Sequence, residues 1–206
     1  MNYTIHWVWT YNKDWRVLMK IAFDLDDTLV HCDVLKKVFQ KYKIKKEDVN
    51  FKIGFEYDDI NPEAIRDILD VFKSPYMGKL KPVKYSKHVI EELTRYGHEI
   101  HIITARAKDM KKHTSKLIQA HFPSVDLKNV HYVGSPKKAP VLKNLGVSIM
   151  VDDNVSYVDE LKDTDITLFV ISNKDTWCNT GLTEEVEHLD YVQVVENISE
   201  VLLESF

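Results

Sequence analysis

The sequence is poor in cysteine, glycine and proline, and it lacks a long apolar run. Only two cysteines occur in 206 residues, Cys32 and Cys178, which excludes a disulfide framework and predicts a reducing compartment such as the cytoplasm. Six glycines and six prolines exclude a low-complexity chain. No apolar stretch approaches the roughly 20 residues that cross a bilayer. We therefore expect a soluble protein with no membrane partner, and the composition does not indicate an oligomeric state.

The charge balance is slightly acidic. A formal net charge of −4 does not indicate nucleic-acid binding, because proteins that bind nucleic acids present an excess of basic residues. Hydrophobic residues make up 44% of the chain, which is enough for one globular domain with a core and a small insertion.

Apolar segments typical of strands alternate with amphipathic segments typical of helices. Strands are predicted at 21–23, 99–103, 130–133, 147–151 and 167–171, and helices at 86–96, 109–121, 139–145, 155–161 and 196–203. Strands separated by helices indicate an α/β fold with a parallel sheet flanked by helices.

Two stretches fall outside this alternation. Residues 1–18 have strand-like alternation around Trp7 and Trp9, and they form either an added edge strand or a leader. Residues 32–79 are predicted to form a small, mainly helical insertion after the first strand, with an Asn-Pro helix start at residues 61–62. The predicted core is therefore 19–31 together with 80–206.

The insertion carries two groups of residues with alternative interpretations. Its lysines form either a solvated face or a basic rim that attracts a phosphorylated substrate. Its aromatic residues form either a small core or a surface that stacks on a base. These residues are Lys36, Lys37, Lys41, Lys43, Lys45 and Lys46, and Phe51, Phe55 and Tyr57.

The central motif is the segment from Lys20 to Val30, in which a buried strand runs into Asp24-Leu-Asp26. Residues i and i+2 of an extended chain point the same way, so the two carboxylates project to one side. Two close carboxylates repel each other and need a cation. Mg²⁺ prefers oxygen ligands and also accepts phosphate oxygens, which predicts phosphoryl-transfer chemistry.

Two further polar groups follow predicted strands. Thr104-Ala105-Arg106 offers a hydroxyl and backbone N–H groups to phosphate oxygens, and Arg106 either contacts phosphate or forms a surface ion pair. The pair Asp152-Asp153 again calls for a cation or a basic group. Because ligands bind at the carboxyl ends of parallel strands, these groups are expected at one edge of the sheet.

In this order, the motifs resemble those of the haloacid dehalogenase-like (HAD) phosphatase superfamily. The resemblance implies a Rossmann-like core with a cap inserted after the first strand. It implies that Asp24 is the nucleophile, that Asp26 is the general acid/base, and that Lys138 neutralises the transferred phosphoryl group, with Lys137 as the alternative. The implied metal ligands are Asp24, Asp26, Asp153 and Asp152, and the implied phosphate-binding residues are Thr28, Thr104, Ala105, Arg106 and Lys138.

Within the superfamily, the motifs are most similar to those of 5′-nucleotidases of the cytosolic deoxyribonucleotidase type and their bacterial and phage relatives. One departure is Asp27, where many of these relatives have glycine. The resemblance implies a Mg²⁺-dependent phosphomonoesterase that forms an aspartyl-phosphate and acts on (deoxy)ribonucleoside monophosphates. The alternatives are a phosphatase for a polynucleotide 3′-phosphate or a sugar phosphate, and a catalytically silent binding module.

Overall fold

The computed structural model of the chain describes residues 18–44, 61–135, 137–172 and 186–204. The predictions for the N-terminal extension up to residue 17, for Lys45 and Lys46, and for the aromatic residues at 51, 55 and 57 lie outside these ranges.

Six strands form one parallel sheet in the order β3-β2-β1-β4-β5-β6. They are β1 (Lys20–Phe23), β2 (Glu99–Thr104), β3 (Val130–Tyr132), β4 (Ile149–Asp152), β5 (Thr167–Ile171) and β6 (Val192–Val195). The chain adds β2 and β3 on one side of β1 and then returns to its other side for β4. The carboxyl ends of β1 and β4 therefore mark the topological switch point, where ligands bind in open α/β sheets.

The described helices are α1 (Val34–Tyr42), α2 (Pro62–Lys73), α3 (Ser86–Arg95), α4 (Lys111–His121), α5 (Ala139–Leu145), α6 (Val158–Leu161) and α7 (Val201–Glu204). Short 3₁₀ turns lie at Pro75–Gly78, Lys108–Met110, Leu127–Asn129, Val155–Tyr157 and Ile198–Glu200. The expected helix start is confirmed at α2, where the Asn61 side chain accepts the N–H of Glu63 at 2.8 Å. None of these helices has the length and apolarity that crossing a membrane requires.

Apolar side chains cover both faces of the sheet, so its central strands are buried. On one face, Ile21 and Phe23 pack with residues of α3 and α4, and on the other Ala22 packs with α5 and α6. This two-sided burial explains why the central strands are continuous apolar runs. The predicted α/β sheet flanked by helices is confirmed.

The chain leaves and re-enters the core through two adjacent segments. His31 donates its N–H to the carbonyl of Lys81 at 2.9 Å, and Val83 donates to the carbonyl of Leu29 at 2.9 Å. Between these segments, α1 and α2 share a small apolar cluster of Val38, Phe39, Ala64 and Ile68. The division into a core and a 32–79 cap domain stays a prediction.

The lysines of α1 are partly explained by ion pairs. Lys37 lies 2.6 Å from Asp33, and Lys41 pairs with Asp67 of α2. Both lysine side chains are solvent-exposed, as the solvated-face interpretation expects for them.

The sheet is wider than the sequence predicted. Strand β6 pairs with β5, whereas the predicted sheet ended at 167–171. The closing segment is also less helical than predicted, because 196–203 contains a 3₁₀ turn before the four-residue α7.

Candidate active site

The carboxyl ends of β1 and β4 bring Asp24 next to the acidic pair that follows β4. Phe23 lies opposite Val151 in the sheet, and Asp24 continues the pairing by donating its N–H to the Val151 carbonyl at 2.9 Å. The residues that follow Phe23 and Val151 are both aspartates, Asp24 and Asp152. This register explains why motifs about 130 residues apart form one site.

Three carboxylates form a compact buried cluster at this edge. Asp24, Asp152 and Asp153 are each at most 6% exposed, and each offers an oxygen within 4.8 Å of the oxygens of the other two. Backbone and hydroxyl groups hold part of the cluster. Asn154 donates its N–H to Asp152 at 2.9 Å, and Thr28 donates its hydroxyl to Asp153 at 3.3 Å.

Lys138 supplies the positive charge of the cluster. It precedes α5, is 2% exposed, and places Nζ against Asp24 Oδ1 and 2.7 Å from Asp152 Oδ2. Burial alone would lower the pKa of Lys138, but Asp152 and Asp24 outweigh it and hold the pKa well above its usual value. Lys137 is exposed, so the geometry favours Lys138 over Lys137.

The carboxyl groups are crowded in a dry environment, which shifts their protonation. Burial raises the pKa of Asp24 to about 7, with Asp152 and Asp26 adding to the rise and Lys138 opposing it. Burial and the neighbouring carboxylates raise the pKa of Asp153 well above its usual range. When all three are ionised, the carboxylates and the ammonium group of Lys138 leave two unbalanced negative charges, which match a divalent cation. The all-oxygen donor set fits a hard divalent metal ion.

The carboxylate of Asp26 has a different partner. Both of its oxygens accept hydrogen bonds from Arg106, at 2.8 Å from Nε and 2.7 Å from Nη2. Asp26 was predicted as a metal ligand, but its side chain is absent from the one carboxylate cluster identified among the described residues. The second carboxylate of the motif is instead paired with the guanidinium group of Arg106.

The remaining predicted phosphate-binding residues differ in accessibility. Thr104 is 1% exposed, and its hydroxyl accepts the N–H of Arg106 at 3.2 Å. Ala105 is exposed at the same strand end. Arg106 is buried and paired with Asp26, so neither the surface ion pair nor the free phosphate ligand describes its position.

The sequence did not indicate the structural roles of two residues near the cluster. Tyr157 is buried, and Lys138 Nζ lies 4.7 Å from the centre of its ring. Asp27 has a left-handed backbone with φ of 61°, and its Oδ1 accepts the N–H of Cys32 at 2.8 Å. Burial raises the pKa of Asp27 to about 7. The resembled motif commonly has glycine at position 27, and because glycine tolerates a left-handed backbone, this was the signal that could have indicated the turn.

Comparisons with known proteins agree with this architecture. The family model described as 5′ nucleotidase, deoxy (pyrimidine), cytosolic type C protein (NT5C) matches residues 17–189. A candidate nucleotidase from Bacillus cereus is 26% identical over 157 residues, covering 69% of this chain and 80% of its own length. Another from Oceanobacillus iheyensis is 24% identical over 194 residues, covering 87% and 99%.

Solved structures share the fold at lower sequence identity. A haloacid dehalogenase-like family hydrolase from Streptococcus pneumoniae has a TM-score of 0.61 at 15% identity, covering 91% of this chain and 98% of its own. A HAD family hydrolase from Deinococcus radiodurans, solved with bound phosphate and sodium, has a TM-score of 0.65 at 13% identity, covering 91% and 96%.

Proposed function

The chain belongs to the NT5C family of 5′-nucleotidases and is a phosphoric monoester hydrolase, and from this premise we propose its mechanism and substrate. We propose a Mg²⁺-dependent 5′-nucleotidase that hydrolyses (deoxy)ribonucleoside monophosphates through a phosphorylated Asp24. The observation that carries the proposal is the charge arrangement at the β1 and β4 ends. A carboxylate stands beside a buried lysine and two further carboxylates, with a separate carboxylate two residues along the chain.

In the first step, an oxygen of Asp24 attacks the phosphorus of the substrate. The bond between phosphorus and the ester oxygen breaks, and Asp26, which must enter this step with a proton on one carboxyl oxygen, gives that proton to the departing alkoxide. Lys138 holds Asp24 in place and faces the negative charge of the transferred group. The product of this step is an aspartyl-phosphate and a nucleoside.

In the second step, Asp26 acts as a base. It takes a proton from water, whose oxygen attacks phosphorus and displaces the Asp24 carboxylate. Inorganic phosphate leaves and both aspartates return to their starting states. The Asp26 side chain is 22% exposed, so it is more open to substrate and water than the buried cluster.

Asp24, Asp152 and Asp153 are the residues that would hold Mg²⁺. The bound ion would supply positive charge to the phosphoryl oxygens. Thr28 keeps Asp153 oriented in this arrangement through its hydroxyl. We also propose that Thr104 and the backbone around Ala105 and Arg106 bind phosphate oxygens, and that the protein works in the cytoplasm.

The test is phosphate release from a panel of phosphate esters. The panel contains ribo- and deoxyribonucleoside 5′-monophosphates, sugar phosphates and a 3′-phosphorylated oligonucleotide, each with Mg²⁺ or with EDTA. We expect Mg²⁺-dependent release that is fastest with nucleoside monophosphates. Asp24→Asn removes the nucleophile and should lower kcat by at least about 10⁴-fold.

The matched control is Asp165→Asn, which makes the same change at an exposed residue before β5, at the opposite edge of the sheet. It should keep wild-type activity. Preferred hydrolysis of another ester in the panel would contradict the nucleotidase proposal. Full activity of Asp24→Asn would contradict the aspartyl-phosphate mechanism.

A further inference from the structure

Arg106 grips the carboxylate of Asp26 with two parallel hydrogen bonds. Nε donates to Oδ2 at 2.8 Å and Nη2 donates to Oδ1 at 2.7 Å. This planar fork fixes the direction of the carboxylate as well as its position, because both oxygens are bound at once. A lysine in the same place could hold only one point of the group.

The guanidinium group is itself fixed by the protein. It is buried, and Nη1 donates to the hydroxyl of Thr114 at 3.0 Å and to the carbonyl of Met77 at 3.4 Å. The Thr114 hydroxyl in turn donates to the Met110 carbonyl at 3.1 Å. Arg106 would have to break these contacts and those to Asp26 in order to turn toward a substrate phosphate. The geometry therefore does not support a direct phosphate contact.

One of these anchors belongs to the segment that returns from the insertion. Met77 lies in the 3₁₀ turn Pro75–Gly78, and this turn packs on α4, which carries Thr114. The approach is close, since a Cβ built on Gly78 would lie 3.1 Å from the carbonyl oxygen of His113. Arg106 thus joins Asp26 of the central motif to both α4 and the end of the predicted insertion.

We infer that Arg106 is a positioning residue, which acts on the reaction by holding the carboxylate of Asp26 in one orientation. The inference rests on the proposed function, in which Asp26 transfers a proton to the leaving group. It replaces the expectation that the Arg106 side chain binds phosphate. A carboxylate with a free side-chain torsion would spend much of its time turned away from the ester oxygen, and misplacement by about 1 Å can cost about 10²-fold in rate.

The test compares Arg106→Met in wild type with Arg106→Met in an Asp26→Ala background. The measured quantity is kcat/KM, which covers only the steps up to the first irreversible one. The substrates are a nucleoside 5′-monophosphate and 4-nitrophenyl phosphate, at enzyme concentrations high enough for single turnovers. We expect Arg106→Met to lower kcat/KM for the nucleotide by about 10²-fold. In the Asp26→Ala background the same substitution should have almost no further effect.

The leaving group separates positioning from general damage to the fold. Nitrophenolate departs without protonation, so Arg106→Met should lower kcat/KM for this ester by less than about tenfold. Arg106→Lys keeps the charge and loses the fork, and we expect about a tenfold loss with the nucleotide. It also serves as the test variant if Arg106→Met does not fold. Equal losses on both esters, or a full additional loss in the Asp26→Ala background, would overturn the inference.

The matched control is Arg95→Met on α3, which breaks a similar fork to Glu92 on the surface. It should leave both rates unchanged. The outcome is separable from that of the proposed function. If Asp24→Asn abolishes turnover while the Arg106 variants behave like wild type, only the role of Arg106 fails. If Asp24→Asn is active, the mechanism itself fails.

Discussion

Asp27 combines a strained backbone with a useful side chain. Its left-handed conformation costs a residue with a Cβ roughly 1–2 kcal/mol relative to glycine. Its carboxyl group offsets this cost by accepting the N–H of Cys32, at the point where the chain turns toward α1. The two effects can be separated by substitution.

We expect Asp27→Gly to be more stable than Asp27→Ala by about 1 kcal/mol. Both variants lose the acceptor for Cys32, but only glycine relieves the left-handed strain. The measurement is urea unfolding of the two variants beside wild type. Equal free energies of unfolding for Gly and Ala would show that the turn stores no strain at residue 27.

Single residues of the candidate site differ in how far the sequence could place them. Asp24 and Asp153 follow apolar strands, so their position at the sheet edge could be predicted from the alternation of strands and helices. Lys138 could not be separated from Lys137 by chemistry, because only the start of α5 decides which side chain enters the cluster. The pairing of Arg106 with Asp26 joins residues 80 positions apart, and no local pattern encodes it.

At the scale of elements, β2 and β3 share a histidine pair on one face. His101 Nδ1 lies 3.2 Å from His131 Nε2, and Glu99 lies 3.3 Å from His101 Nε2. Burial lowers the pKa of His101 against the opposing effect of Glu99, with His131 and Lys20 adding to the fall. Burial also lowers the pKa of His131. Both imidazoles are therefore held neutral in the fold.

The pair predicts a loss of stability in mild acid. The unfolded chain binds protons at the ordinary histidine pKa near 6.5, whereas the folded pair resists them. The stabilising effect is fully present above about pH 6.5 and falls as the pH drops through the lowered pKa values. His131→Gln should make the acid-induced loss of unfolding free energy smaller. We expect a difference between about 0.3 and 1 kcal/mol, since solvent contact of His131 weakens the effect.

The measurement is the free energy of unfolding from urea titrations at pH 7 and pH 5. The exposed His88 of α3 provides the control, because His88→Gln should leave the difference between the two pH values unchanged. A pH dependence that is the same in His131→Gln and wild type would contradict the role of the pair.

Helices with regular apolar spacing and a clear start signal could be predicted from the sequence. The helix α3 follows its apolar spacing, and α2 begins at its Asn-Pro signal. Strand β6 was missed because it has only four residues, Val192–Val195, lies at the edge of the sheet formed by the described strands, and precedes no functional motif. These four residues form a strand because they pair with the edge of β5, and this pairing between distant segments is not visible in the local sequence.

At the scale of the whole molecule, the strand order determines where the negative charges of the candidate site come together, which is at the carboxyl ends of β1 and β4. Strands are added on one side of β1 as far as β3 and on its other side from β4 onward, so two aspartate-bearing strand ends become neighbours at the switch point. Asp24, Asp152 and Asp153 are buried at this edge, which makes their charges costly to hold. The fold therefore tolerates the cluster best when a cation shares it.

This coupling predicts that Mg²⁺ stabilises the entire fold. A ligand that binds only the folded state at 100 times its Kd adds about 2.7 kcal/mol, which should appear as a rise in Tm relative to protein in EDTA. Asp153→Asn removes one carboxylate of the cluster while keeping an oxygen that can accept the Thr28 hydroxyl. In this variant the Mg²⁺-dependent rise in Tm should be largely lost.

The same substitution should have the opposite effect without metal. In EDTA, Asp153→Asn should be more stable than wild type, because it removes a carboxyl group whose burial among other carboxylates raises its pKa well above the usual range. Asp165→Asn at an exposed position should change neither value. A variant that is destabilised in EDTA and still responds fully to Mg²⁺ would show that Asp153 is a structural residue outside the metal site. Asp153→Asn should therefore raise the stability of the protein in EDTA and lower its stabilisation by Mg²⁺. This pair of effects is expected only if the crowded carboxylates destabilise the metal-free fold and bind the cation.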